Sequence, residues 1–215
     1  MYYIRKMTPI AAGIVALVVV GAVGFFTVDQ IRTESEKIVD NTLPAVTCAG
    51  QINAYQAENF NRALLVITAD NPGDRAAYRR EVDDTDQIVD ENMAQYQRLI
   101  QTDDGLRIFN TLILDRSEYN RSRQAAFALA ESGRRDEALS LLKTSLWPAY
   151  EKYTKTGDVL FDYSIQQGDL RGRGILSVCN TTRILVAMIG ISVFIVGFLT
   201  PFLVIRFGSA AEEVR

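Results

Sequence analysis

Two arginines one heptad apart, Arg116 and Arg123, sit on a helical stripe whose other members are Ile108, Phe109, Leu112, Tyr119, Ala126, Phe127 and Ala130. A guanidinium on an otherwise apolar face needs an anion, because a buried charge is stable only when it is paired and hydrogen-bonded. Counting residues down from the predicted turns sets Arg123 level with Glu81, which predicts a structural ion pair between them. The same count sets Arg116 beside Tyr55, Gln56, Ile88 and Tyr150, with Asn59 somewhat higher, and finds no carboxylate facing it. An arginine among tyrosines and amides suits a ligand that brings its own carboxylate, gripped bidentately while aromatic rings cover its apolar part. The candidate site is therefore Arg116 with Tyr55, Gln56, Asn59, Tyr119 and Tyr150, and the candidate ligand is a small organic acid. Two other readings stay open: Arg116 reaches an edge acid such as Asp115 of a second copy, or extends to water along its aliphatic stem.

Other chemistries find little support. The chain has no histidine, which excludes Ser-His-Asp and Cys-His nucleophiles, HExxH zinc sites and His-ligated haem. The acidic run Asp83-Asp84-Thr85-Asp86 has calcium-type side chains but no loop, and on a helix it reads as a solvated face. With no paired-carboxylate motif and no glycine-rich phosphate loop, the expectation is a protein that is not an enzyme and holds no metal or cofactor. Trp147 and Tyr150 beside Pro148 are expected to pack a core. Cys48 and Cys179 stand about 22 Å apart in axial register on straight helices, too far for a bridge, so each reads as a small buried apolar residue.

The elements that position these residues are helices throughout. Ile31, Ile38, Ala45, Ala49, Ile52, Ala63 and Val66 keep a three-four spacing over a first helix, residues 29–69, which the cluster Asp70-Asn71-Pro72-Gly73-Asp74 stops. A second helix, 74–101, carries the seam Val82, Thr85, Val89, Asn92, Tyr96 and Leu99, and a third spans 104–131. A fourth opens at Asp136 as its N-cap and runs through Leu142, Leu146, Tyr153 and Leu160. The lengths predict an all-α, up-down-up-down antiparallel bundle, with two middle helices of about 42 Å and two longer outer ones. Gly168, Gly172 and Gly174 mark either close packing against the first helix or a compliant joint.

Two apolar runs flank the bundle. PIAAGIVALVVVGAVGFFTV (9–28) and ILVAMIGISVFIVGFLTPFLVI (184–205) carry no charge, and each is long enough as a helix to cross a bilayer. Pro9 suits a first helical turn, and Arg206 follows the second run as a snorkelling anchor. The first run also fits a signal peptide cleaved near Ala22-Val23-Gly24, although helical patterning continues through it into Asp29. Arg5 and Lys6 put both short tails, 1–8 and 206–215, on the cytoplasmic side, and residues 29–183 outside it. That outer domain has 24 acidic and 19 basic side chains, net −5, with no basic stripe for nucleic acid. The mean hydropathy of +0.03 thus averages two unlike populations.

Taken together, the basic tail before the first run, Leu43-Pro44, and the passage LALAESGRRDEALSLLKTSLWPAYEKY, with Gly133, Ala138, Leu139 and Pro148, resemble the amino-terminal half of a methyl-accepting chemotaxis protein. The resemblance spans about residues 1 to 206. It implies a four-helix-bundle sensor in the bacterial inner membrane, multi-pass, dimeric with itself, in contact with lipid, and open to a small organic acid or a periplasmic binding protein. Ala12, Ala16, Gly190 and Gly197 offer small faces for helix contact in lipid. The family continues into a HAMP linker and a signalling coiled coil, whereas RFGSAAEEVR alone follows Ile205 here. The expectation is a receptor fragment or a sensor that transmits through a partner. The rival expectations are a membrane-anchored helical scaffold and the sensor part of a histidine kinase or cyclase.

Overall fold

The computed structural model describes the backbone of residues 2–212 and the side chains of residues 17–195. Helix α1 (Tyr2–Lys37) passes through a π-turn (Ile38–Thr42) into α2 (Leu43–Thr68). Helices α3 (Pro72–Leu99) and α4 (Asp103–Glu131) follow, then α5 (Arg135–Leu141), a second π-turn (Leu142–Leu146) and α6 (Trp147–Glu212). Helix α1 starts ahead of Pro9, so that proline does not open it.

Both π-turns have the same cause. Pro44 and Pro148 have no N–H, and each ring would strike the carbonyl four residues back, at Asp40 and Thr144. The helix widens there, and the residue before each proline donates five residues back: Leu43 N–H to the Ile38 carbonyl, and Trp147 N–H to the Leu142 carbonyl.

The stops are local chemistry. Asn71 caps α3 by accepting from Gly73 N–H at 2.8 Å, with Pro72 at the first helical position. Thr102 caps α4 by accepting from Gly105 N–H at 3.1 Å. Gly133, at φ +77°, ends α4 with Gly133 N–H on the Ala130 carbonyl and Arg134 N–H on the Leu129 carbonyl, the paired bonds of a Schellman motif. That motif sets the next N-cap at Arg134 instead of Asp136, and the Arg134 guanidinium pairs with Glu137 in the first turn.

Residues 37–170 form one unit, a bundle, and residues 1–36 with 171–215 form another. The core of the bundle holds the expected seam: Ala49, Ile52, Ala63 and Val66 of α2, Val82, Thr85, Val89, Asn92 and Tyr96 of α3, and Phe109, Leu112, Phe127 and Ala130 of α4. Leu146, Tyr153 and Leu160 complete it. Gly168 packs closely: a Cβ there would stand 3.3 Å from Thr42, whereas one at Gly172 or Gly174 would meet nothing. Cys48 is buried, but Cys179 is exposed, contrary to expectation, and neither is bridged.

In the other unit, Thr27 and Thr182 share a hydrogen bond of 3.0 Å, while Phe25, Phe26, Ile184, Met188 and Phe194 are exposed. Among the described residues, one helix is long and apolar enough to cross a membrane, within 135–195, and none of its apolar window is buried. The side chains of residues 9–16, with Ala12 and Ala16, and those of Arg5, Lys6, Gly197 and Arg206 lie outside the described residues.

Candidate ligand-binding site

The α4 stripe delivers both arginines to the bundle interior, but to partners other than those the residue count predicts. Arg123 is 1% exposed and pairs with Asp86 of α3, not with Glu81. It also donates to the Asn59 carboxamide oxygen of α2, which accepts from Tyr119 Oη at 3.0 Å as well. The ring of Tyr119 lies 5.2 Å from the guanidinium carbon. Burial alone would pull the Arg123 pKa down, but the hydrogen bonds and attraction to Asp86 and Tyr119 carry it above its ordinary value, so the cation persists in the core. Glu81 instead meets Arg62 of α2, which also holds Glu58.

Arg116 does face carboxylates. It pairs with Asp90, stands 3.8 Å from Asp86, and donates to the Asp86 backbone carbonyl at 3.3 Å and the Met93 sulfur at 3.3 Å. The chain itself supplies the anions, so Arg116 is not the free guanidinium that the residue count describes. Asp115, offered above as a partner from a second copy, is buried and held by Lys152 at 3.0 Å and by Thr156 Oγ1 at 2.6 Å. Asp86 is the residue that sequence reasoning misplaced on a solvated face. Its signal was present: it falls four residues after Val82 and three before Val89, on the buried side of α3.

The remaining candidates divide between two other places. Gln56 is buried with neither amide atom hydrogen-bonded, and Tyr153 Oη is likewise unpartnered. The two face each other closely enough for Gln56 to lower the Tyr153 pKa, yet burial dominates and pushes it up to about 12. Gly157 of α6 lets them approach: a Cβ there would overlap Asn53 Oδ1 and lie 2.9 Å from Gln56 Oε1. Tyr55 is half-buried against the core.

Tyr150 belongs to an aromatic cluster. It stacks on Phe60 at 4.0 Å between centroids, and Trp147 meets Phe60 edge-on at 5.4 Å. Trp147 is not packed away as expected, being 46% exposed, and with Phe60, Leu64, Leu142 and Lys143 it lines a cavity of about 230 Å³.

A family model described as a four helix bundle sensory module for signal transduction matches residues 7–173. The chain belongs to this family. No curated protein matches it. For a sensory module of this kind, the polar layer around Arg123 is structural chemistry in which the chain supplies the anion and leaves only Arg123 Nε without a partner, while the aromatic cavity leaves the Trp147 ring partly uncovered.

Proposed function

We propose that the chain is the extracytoplasmic sensor of a membrane-anchored, chemotaxis-type receptor, in which binding at the bundle displaces the outer helices and biases a two-state arrangement across the bilayer. One observation carries this reading. Helix α6 supplies Tyr153, Leu160 and Ser164 to the bundle core, and the same helix continues into an apolar stretch none of which is buried. A helix that serves both as a core element and as an apolar span is the physical link a receptor needs. Membership of a signal-transduction family supports the same conclusion.

The reading includes two spans, 9–28 and 184–205, in the inner membrane, and binding instead of catalysis. It also includes a homodimer, for which α2 offers the exposed heptad-spaced stripe Leu43, Thr47, Ala54, Asn61 and Leu65. The test is a chimera that joins residues 1–205 to the HAMP and kinase-control half of a chemotaxis receptor, with kinase output read by energy transfer between its downstream proteins. A concentration-dependent change with a small organic acid is expected. Output that stays constant across acids, amino acids and periplasmic binding proteins would favour the scaffold.

A further inference from the structure

We infer that the cleft between α2 and the start of α6 binds a small aromatic carboxylate. Four of the five residues lining it are apolar, Phe60, Leu64, Leu142 and Trp147, and the fifth is Lys143. At about 230 Å³ the cavity falls below the roughly 300–1,000 Å³ of pockets for drug-sized ligands, which limits the occupant to about one ring.

The walls select an aromatic body. Phe60 is buried, held by the parallel Tyr150 ring and by Trp147 at 61° to it, so it forms an apolar floor while the half-exposed Trp147 indole is the ring a planar guest can pack against. Trp147 is nearly half exposed although it sits in this cluster, a large apolar surface left uncovered beside a cavity.

Lys143 selects the charge. It is the one ionic group in the lining, it is exposed, and it makes no ion pair among the described residues. The neighbouring arginines contrast with it: Arg134 is held by Glu137, and Arg135 by Asp70 and the Thr68 carbonyl at 2.9 Å. A cation at the rim of an apolar cleft complements a carboxylate on an apolar ring. Lys143 lies in the π-turn that Pro148 imposes, so the feature that interrupts the helix also lines the cleft.

That such a ligand acts as a signal rests on the sensor reading; that it binds does not. Trp147 is the only tryptophan in the sequence, so fluorescence of the full chain in detergent reports on this cleft alone. Titration with benzoate is expected to quench Trp147 saturably, with neutral benzamide and ring-less acetate binding at least about tenfold more weakly. Lys143→Gln is expected to weaken benzoate to the level of benzamide, and Lys143→Arg to restore it. Absence of saturable quenching, unchanged benzoate binding in Lys143→Gln, or acetate binding as tightly as benzoate would overturn the assignment. Saturable quenching beside a chimera silent to benzoate upholds the site and overturns its signalling role.

Discussion

Tyr119 and Tyr153 are two buried tyrosines, each 2% exposed, stacked on each other at 5.6 Å, yet they belong to opposite kinds of layer. The Tyr119 hydroxyl donates to Asn59, and through Asn59, Arg123 and Asp86 it joins α2, α3 and α4 in one connected network. The Tyr153 hydroxyl and the Gln56 carboxamide, one on α6 and the other on α2, lie close enough to act on each other but fall short of full hydrogen-bond geometry. The first three bundle helices are thus tied by directed polar bonds in the core. The crossing of α2 with α6 relies on packing, over Gly157 and through the Phe60 stack on Tyr150, and on one exposed bond, Asn53 to Asp158 at 3.0 Å. A small shift of α6 along α2 would break few hydrogen bonds there, whereas the same shift among α2, α3 and α4 would strand a buried guanidinium.

The sharpest way to break this contrast is Asp86→Ala. Asp86 is the shared acceptor of Arg123 and Arg116, and removing it leaves Arg123 charged and buried. Breaking one side of a buried pair costs about 3–5 kcal/mol. Urea denaturation of the full chain in detergent, followed by circular dichroism, is expected to show a loss of that size. A loss under about 1 kcal/mol would mean that water reaches Arg123 and that the layer is no lock.

Tyr119→Phe removes one bond and keeps the ring. Asn59 retains its bond from Arg123, so the expected loss is about 1–1.5 kcal/mol by the same measurement. A neutral result would place the network's stability in Arg123 and Asp86 alone.

The parts of this arrangement that sequence shows are those set within a few residues. Asn71-Pro72-Gly73, the Thr102 cap and Gly133 each carry their own hydrogen-bonding instructions, and the seam from Val82 to Tyr96 repeats often enough to define a face. The π-turns leave little trace: a proline inside a helical pattern signals an interruption, but not that a widened turn absorbs it. Partner assignment failed for a related reason. Counting from the turns treats every helix as straight and equally placed, and Arg123 finds its acid five residues further along α3 than Glu81, about 7.5 Å along the axis. Periodicity on α3 itself was the better guide, since Asp86 shares a face with Val82, Val89 and Met93. The aromatic cavity was illegible because exposure of Trp147 depends on how α2 and the second π-turn meet, which no single helix pattern contains.

Tyr153→Phe has the smallest expected effect at neutral pH and therefore tests the other half of the comparison. Deleting a buried hydroxyl whose contact with Gln56 falls short of full hydrogen-bond geometry removes a desolvation penalty and at most a weak bond, so stability at pH 7 is expected within about 0.5 kcal/mol of the parent, or above it. Alkaline pH separates the two proteins. The phenol ionises near 10 in the unfolded chain and is pushed up to about 12 by burial in the fold. Below pH 10 both states hold the proton and this group adds no pH dependence. Between 10 and 12 the unfolded chain releases it first, so the parent loses stability as pH rises, and the loss levels off once the folded phenol ionises too. The phenylalanine variant lacks that contribution, and urea midpoints at pH 7, 10.5 and 11.5 are expected to fall less steeply for it. A loss above about 1 kcal/mol at pH 7 would mean that the Tyr153 hydroxyl is bonded in the fold and that the crossing of α2 with α6 is tied like the rest, whereas equal slopes would mean that water reaches the phenol.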